Sequence, residues 1–336
     1  MPSPEHILGL AAIISLTFYA LMGGADYGGG VWDLLAFGPR AAKQRETIAN
    51  AIGPIWEANH VWLILVIVIL FACFPPAFCA ISIALHIPLT ILLIGIVLRG
   101  SAFTFRTYDS QRDNVQRLWG RIFAISSTIT PVVLGIIVGA ISNGALTVDG
   151  SDFLQIYVHS WAQPFPIAVG LFALALFAYL AAVYLTSDTL DADLQNDFRM
   201  RAMLSAIVSA IMAAVVFFLS KNEAPAIYAG ISRVIPLHVV TALLALCSLS
   251  CLYFRKFAVA RYFAAGQVAF VLWGWALGQY PFLIRPKWTI TNSMANKETL
   301  DLVIVALAAG TVLLFPSVLY LLKIFKSRSD ASKSNS

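Results

Sequence analysis

Two carboxylates stand out because they lie within, or at the end of, long apolar segments. Asp26 lies in the first apolar segment and Glu57 opens the second. A carboxylate inside a membrane span is energetically costly and is a functional candidate by default. His60 follows Glu57 by three residues, so it lies on a neighbouring face of the same helix, where an imidazole can extend a proton relay. This pattern indicates proton transfer through Glu57, Asp26 and His60.

Each carboxylate also has a structural interpretation. Glu57 follows Pro54 in what would be the first turn of a helix, where the helix dipole favours an acidic residue. Asp26 lies inside the glycine-rich run 23–30, and small residues permit close helix packing around it. A nucleotide-binding loop would require a preceding strand in a βαβ unit, which this run lacks. The sequence leaves open whether these carboxylates carry protons or fix helix packing.

Arg99 and Arg106 flank the C-terminal end of the third apolar segment. Long basic side chains near the end of a membrane helix commonly reach out to the lipid headgroups. They can also pair with a carboxylate inside the protein, here Asp26 or Glu57. The sequence leaves both alternatives open for these arginines.

The residue types that bind metals form no recognisable site. Cys247 and Cys251 share a helix face, but no third ligand lies nearby in the sequence. His60, His86 and His238 lie in or beside apolar segments, and no pair of histidines has a spacing diagnostic of haem ligation. We therefore expect no metal and no haem bound by this chain.

The composition is that of an integral membrane protein. The chain has 336 residues, of which 60% are hydrophobic and 12% charged, and its mean hydropathy is +0.82. Soluble domains have roughly twice that charged fraction, so a soluble fold is excluded. The net charge of +5 follows from basic cytoplasmic loops, and no basic stripe with interleaved aromatic residues suggests nucleic-acid binding. The N-terminus lacks the basic region of a cleavable signal peptide, so the first apolar segment is expected to remain as a span.

Hydropathy predicts nine spans, because a bilayer core about 30 Å thick requires about 20 apolar residues per helix. They are 7–32, 55–73, 77–98, 119–142, 162–186, 202–220, 235–254, 262–284 and 301–323. Prolines in the short segment 74–76 would make the second and third spans a hairpin. With the N-terminus outside, 17 of the 22 basic residues are cytoplasmic, as the positive-inside rule requires. The sequence thus predicts an all-α polytopic protein with a cytoplasmic C-terminus, comprising one transmembrane domain (1–325) and a disordered cytoplasmic tail (326–336).

Two motifs resemble the hallmark region of subunit II of the cytochrome bd-type quinol oxidases. Residues 24–28 read Gly-Ala-Asp-Tyr-Gly, and residues 54–63 read Pro-Ile-Trp-Glu-Ala-Asn-His-Val-Trp-Leu. The family shows Gly-x-Asp-x-Gly in its first helix and Pro-x-Trp-[Asp/Glu]-x-Asn-x-Val-Trp-Leu at the start of its second. The regions around 99–106, 280–281 and 288–291 also look like family features. The short chain and Glu57 are closer to the cyanide-insensitive branch, whereas Met22 stands at a position that can be acidic in the family.

The resemblance implies a subunit of a quinol:oxygen oxidoreductase in the bacterial cytoplasmic (inner) membrane. Its expected architecture is two four-helix bundles plus one peripheral helix. A larger subunit I would carry haem b and haem d, or haem b in its place, together with the quinol-oxidising loop. This chain would stabilise subunit I and contribute to the cytoplasmic proton path, which generates a proton motive force. The packing or interface candidates are Trp56, Asn59, Trp62, Arg99 and Arg106. The resemblance also allows small single-helix accessory subunits and a structural quinone.

Two other functions fit the residues alone. A secondary transporter would also have carboxylates in its spans, and it would transport a substrate without a haem partner. A purely structural subunit would use Asp26 and Glu57 only for helix packing. The sequence does not specify the quinone, the partner's haem type, the oxygen route or the protonation states of the two carboxylates.

Overall fold

The structure is a computed structural model in which almost the whole chain is helical. It describes the backbone of residues 3–52, 56–108, 113–150 and 152–334. Within these ranges it describes all side chains except those of 56–58, 106–108, 113–114, 231–232, 314–315, 318–319 and 321–334.

Thirteen helices and one short hairpin of strands occur in the described ranges. The helices are α1 (Pro4–Leu34), α2 (Ala41–Ile52), α3 (Trp56–Cys73), α4 (Pro75–Ala84), α5 (His86–Tyr108), α6 (Asp113–Ser142), α7 (Phe153–Tyr157), α8 (Pro164–Asp188), α9 (Ala192–Glu223), α10 (Pro225–Arg233), α11 (Ile235–Tyr253), α12 (Phe257–Gln279) and α13 (Lys297–Ser334). The strands β1 (Phe282–Ile284) and β2 (Trp288–Thr289) pair antiparallel.

Seven of the described helices are long and apolar enough to cross a membrane, namely α1, α5, α6, α8, α9, α11 and α12. The bent pair α3 and α4 would be an eighth if it formed one span. The all-α, multi-span character expected from hydropathy is thereby confirmed. The total of nine spans and the disorder of the 326–336 tail remain predictions, because most side chains near the end of α13 lie outside the described residues.

The predicted hairpin of spans 55–73 and 77–98 is wrong in its details. The axis of α3 and the axis of α4 differ by 116°, and a second break at Leu85 separates α4 from α5. Pro75 begins α4, because a proline is tolerated in the first turn of a helix but cannot continue the preceding one. The third span therefore lies within α5, about nine residues later than hydropathy predicts.

The predicted span 262–284 is also displaced. Helix α12 ends at Gln279, and residues 282–284 form β1. The apolar run continues beyond the helix because Ile284, the last residue of β1, is fully buried against the bundle. Hydropathy alone cannot distinguish these two ways of burying apolar residues.

The first helix packs at the centre of the bundle, against α3, α6 and α8. Its glycines make the close approach to α8 possible. A Cβ added at Gly28 would overlap the backbone carbonyl of Phe177, and it would lie 2.8 Å from the Cβ of Ala181. Small residues at helix crossings let two backbones approach closely in membranes, where dispersion contacts rather than hydrophobic burial drive association.

The bundle has two distinct ends. At one end, which we call the basic end, Arg40 on the loop before α2 forms a two-pronged ion pair with Asp197 of α9. Arg199 also lies there and donates to the carbonyl of Leu252 at 2.8 Å. At the opposite end, β1 packs against α6, and the ammonium of Lys287 lies 3.0 Å from the carboxylate of Asp149. The C-termini of α1 and α8 both lie at the basic end.

Candidate functional site

Four helices bring polar side chains together in the interior of the bundle. Asp26 comes from α1, Asn59 from α3, Arg99 from α5 and Ser127 from α6. Asp26 and Arg99 are only 3% and 1% exposed, and Asn59 and Ser127 are fully buried. We call these four residues the Asp26 cluster.

Arg99 and Asp26 form the central contact of the Asp26 cluster. The Nη2 atom of Arg99 donates to the Oδ1 atom of Asp26. The Oδ2 atom of Asp26 accepts from the amide nitrogen of Asn59 at 2.6 Å. The Nε atom of Arg99 donates to the hydroxyl of Ser127 at 3.0 Å. The carboxylate thus has a partner on each oxygen, and its charge is matched by a guanidinium inside the protein.

Aromatic rings enclose the guanidinium of Arg99. Its central carbon lies 4.7 Å from the ring centre of Tyr27 and 5.1 Å from that of Phe123. The hydroxyl of Tyr27 accepts a hydrogen bond from Tyr19 at 3.2 Å. The negative faces of aromatic rings attract a cation, and the attraction is stronger in a site from which water is removed. The rings therefore help to hold Arg99 in one position beside Asp26.

Burial makes the charges of Asp26 and Arg99 depend on each other. Removing two charges from water costs several kcal/mol per ion, and their attraction offsets that cost only when geometry is good and hydrogen bonds are complete. In the Asp26 cluster both oxygens of Asp26 and two nitrogens of Arg99 have hydrogen-bond partners. Chemically, the arrangement maintains a carboxylate in the apolar interior, where a proton reaching Asp26 would neutralise its charge and weaken the contact with Arg99.

One acceptor in the Asp26 cluster has no partner. The Oδ1 atom of Asn59 is buried and receives no hydrogen bond from any residue that the structure describes. Buried polar atoms are rarely left in this state, and an ordered water is a common partner. The Asp26 cluster therefore has an open polar position on its α3 side.

A small cavity lies on the other side of Asp26, toward the basic end. Its volume is about 40 Å³, and α1, α2 and α8 form its walls. Its lining residues are Met22, Ala25, Asp26, Gly29, Ala51, Ile52, Ala181, Tyr184, Leu185 and Asp188. Two carboxylates thus border the same space: Asp26 is buried in the bundle, and Asp188 lies at its surface.

The structure brings together only some of the residues selected from the sequence. Asn59 and Arg99 both contact Asp26. The side chain of Arg99 therefore pairs with a carboxylate inside the protein and does not extend to the lipid headgroups. His60 is half-buried on α3, next to Asn59. Trp62 is buried and stacks on Phe18 with ring centres 4.6 Å apart. Trp56, Glu57 and Arg106 lie outside the residues whose side chains the structure describes.

The sequence interpretation missed Ser127, Tyr27 and Asp188. Ser127 and Tyr27 contact Arg99, but a serine and a tyrosine in apolar helices give no distinguishing signal in one sequence. Asp188 is the last residue of α8 and resembles an ordinary solvated helix end. Only the fold shows that Asp188 borders a cavity shared with Asp26.

The described residues do not form a site suited to a bound metal. Among them, no group of three or more His, Cys, Asp or Glu side chains converges on one point. His86 and His238 each contact a backbone carbonyl of their own turn, at 3.1 Å and 3.0 Å. The expectation that this chain binds no haem remains a prediction.

The comparisons with known proteins agree on one family. The family model described as cytochrome bd terminal oxidase subunit II matches residues 4–325. Similar proteins include the Bacillus subtilis cytochrome bd ubiquinol oxidase subunit 2, 29% identical over 62% of this chain and 60% of that protein. The Bacillus subtilis putative cytochrome bd menaquinol oxidase subunit II is 21% identical over 96% of both chains. The Escherichia coli K12 cytochrome bd-I ubiquinol oxidase subunit 2 is 26% identical over 62% of this chain and 53% of that protein.

A solved structure shares the fold. A chain from the structure of bd oxidase from Geobacillus thermodenitrificans superposes with a TM-score of 0.74. The match covers 96% of this chain and 98% of that chain, at 22% identity. The family match over nearly the whole chain, together with the apolar helices, identifies a multi-pass membrane protein that belongs to the cytochrome bd terminal oxidase subunit II family.

Proposed function

We propose that this chain is the haem-free core subunit of a quinol:oxygen oxidoreductase in the bacterial cytoplasmic membrane. It would stabilise a larger, haem-bearing subunit I and contribute to the path by which cytoplasmic protons reach the site of oxygen reduction. Membership of the cytochrome bd terminal oxidase subunit II family supports the assignment of this chain to such a complex. The single observation that supports the proton path is the buried carboxylate of Asp26, which borders a cavity toward the basic end.

The orientation of the chain follows from its charges. The basic end carries Arg40, Lys43 and Arg45 around α2, and it also carries Arg199 and Arg201 of α9. Basic residues are retained on the cytoplasmic side of bacterial membrane proteins, so we assign the basic end to the cytoplasm. Asp26 and the start of α3 then lie where protons would enter from the cytoplasm.

The generation of a proton motive force would depend on this sidedness. When bound to the partner, the haems supply the electron transfer and the reduction of oxygen to water. Quinol releases its protons on the outer side, whereas oxygen reduction takes protons from the cytoplasm. In this subunit Glu57 is the first relay candidate and Asp26 the second, with His60 on the same helix as Glu57. Asn59 of α3 contacts Asp26 through its amide nitrogen, and its open Oδ1 acceptor can hold a water beside the carboxylate.

A structural role for the same residues is the second candidate. The Asp26 cluster is nearly complete in its hydrogen bonds, and it links α1, α3, α5 and α6. Such a buried network can specify helix packing without moving any proton. The two functions differ in what fails first when a carboxylate is removed: a relay loses turnover, whereas a packing element loses haem content or assembly.

Replacement of Glu57 by Gln tests the relay. We expect quinol-dependent oxygen uptake to fall about tenfold or more, because an amide has the shape of the carboxyl group but cannot pass a proton. The reduced-minus-oxidised haem spectrum of the purified complex should be unchanged. Glu298→Gln is the matched control, because Glu298 is also an acidic residue in the first turn of a helix but is exposed at the opposite end. Normal uptake by Glu57→Gln would exclude the relay role, and loss of haem would indicate the structural one.

A further inference from the structure

We propose that Asp188, the last residue of α8, is the cytoplasmic entrance through which protons reach Asp26. This inference rests on the proposed function, since it names the entrance to the same proton path. It assigns a relay role to a residue that no motif distinguishes. Three features of the cavity support it: the position of its two carboxylates, its size and its walls.

The two carboxylates border the cavity from different environments. Asp26 is 3% exposed, whereas Asp188 is exposed at the basic end. Both border the cavity, as does Tyr184, which lies one helical turn before Asp188 on α8. Ala181 of α8 packs beside Gly28 of α1. Asp188 comes seven residues after Ala181, which is about 10 Å further along the helix. The cavity therefore extends between the surface and the interior of the bundle.

The cavity has room for water, and two carboxylates border it. A water requires at least about 10–15 Å³ of such space, so 40 Å³ accommodates about two or three. A carboxylate offers about four acceptor positions, and Arg99 and Asn59 occupy two of those on Asp26. Most of the cavity lining is apolar. Asp26, Tyr184 and Asp188 carry the polar side chains among the lining residues, and they are the groups that would hold water there.

The proposed transfer conserves all atoms and charges. Bulk water protonates the carboxylate of Asp188. Asp188 then donates this proton to a cavity water, and the far end of the water chain donates a different proton to a carboxylate oxygen of Asp26. The net change is one proton moved from Asp188 to Asp26, with no electron transferred and no heavy-atom bond broken. Asp26 next donates the proton to a water held by the open Oδ1 acceptor of Asn59, and its ion pair with Arg99 is restored.

Helix α2 forms the wall that separates the cavity from the cytoplasm. Ile48 and Ile52 of α2 are buried, and Ile52 packs against Gly29. The other end of α2 is held in place because Gln44 donates to Asp197 at 2.9 Å and accepts from Arg201 at 2.8 Å. A wall held in this way restricts access to the cavity to the side where Asp188 lies.

The first test replaces Asp188 by Asn in the full complex. We expect quinol-dependent oxygen uptake at saturating quinol to fall about fivefold or more, with an unchanged KM for quinol and an unchanged haem spectrum. Asp188→Glu should recover most of the uptake, because it restores a proton-carrying group. Asp301→Asn is the control, since Asp301 is an exposed aspartate at the opposite end. Full uptake by Asp188→Asn would overturn the proposal.

The second test blocks the cavity and leaves both carboxylates in place. Ala51 lines the cavity from α2, so Ala51→Leu should place its added carbons in the space for water and lower oxygen uptake to a similar degree. Ala42→Leu is the control, because Ala42 lies on the same helix but is exposed. If the Asp188→Asn complex fails to assemble, the Ala51→Leu complex becomes the deciding test. Normal oxygen uptake by an assembled Ala51→Leu complex would overturn the proposal that protons enter through this cavity.

The two proposals fail in different ways. Slow turnover by Glu57→Gln together with normal turnover by both Asp188→Asn and Ala51→Leu would retain the proton path and reject this entrance. Normal turnover by Glu57→Gln would reject Glu57 as a relay, and slow turnover by Asp188→Asn would then indicate a path through Asp26 that bypasses Glu57.

Discussion

Replacing Arg99 by Gln should prevent most of the complex from assembling. The substitution leaves the carboxylate of Asp26 in a site that is 3% exposed, without the guanidinium that matches its charge. Removing one partner of a buried ion pair commonly costs about 3–5 kcal/mol, because the other charge remains uncompensated. A loss of this size is a large fraction of the stability of a typical protein. The measurement is the yield of haem-containing complex purified in mild detergent, together with its thermal inactivation temperature.

A double variant distinguishes the lost ion pair from the lost bulk of the arginine. Asp26→Asn combined with Arg99→Gln replaces two charges by two amides that can still hydrogen-bond, so it should recover much of the yield lost in Arg99→Gln alone. Arg121→Gln is the control, because Arg121 lies on α6 but is exposed. A normal yield from Arg99→Gln would show that the contact with Asp26 contributes little to the stability of the bundle.

Replacing Gly28 by Ala should separate α1 from α8. The added Cβ would overlap the carbonyl oxygen of Phe177, and backbone atoms cannot move aside as a side chain can. Overpacking typically costs about 1–3 kcal/mol and sometimes more, and here we expect the upper part of that range. Because α1 carries Asp26, a displaced α1 should also misplace this carboxylate relative to Arg99. The measurement is again the thermal inactivation temperature, together with quinol-dependent oxygen uptake.

Gly310→Ala provides the comparison for the same substitution in an open position. No atom lies within 4 Å of a Cβ added at Gly310 of α13. Alanine favours a helix over glycine by up to about 1 kcal/mol, so this variant should be neutral or slightly stabilised. Equal inactivation temperatures for Gly28→Ala and Gly310→Ala would contradict the close packing of α1 on α8.

Hydropathy predicted the membrane class and most spans, because one apolar segment of sufficient length is enough to indicate a membrane helix. It failed where apolar residues were buried in another way. The break at Leu85 is followed by Pro88 in the first turn of α5, a helix-start signal that a count of apolar residues does not register. Ile284 is apolar because the strand hairpin buries it against the bundle, and not because it lies in a span.

The site was predicted in part for a similar reason. Asp26 is conspicuous because a carboxylate is rare in an apolar helix, and its glycine neighbours are visible in the sequence. Its pairing with Arg99 depends on the relative positions of α1 and α5, which are 73 residues apart at these two positions. Asp188 gave no signal, because an aspartate at a helix end is common on protein surfaces. The cavity that gives Asp188 a possible role exists only in the assembled bundle.

The most direct test of the proposed function is to isolate the chain with its native partners. The tagged chain would be extracted from its own membrane in mild detergent, and its reduced-minus-oxidised spectrum and quinol-dependent oxygen uptake would be recorded. We expect a larger haem-bearing subunit to co-purify, with haem b-type absorption and oxygen uptake that requires quinol. A colourless chain without such a partner and without oxygen uptake would contradict the proposed function.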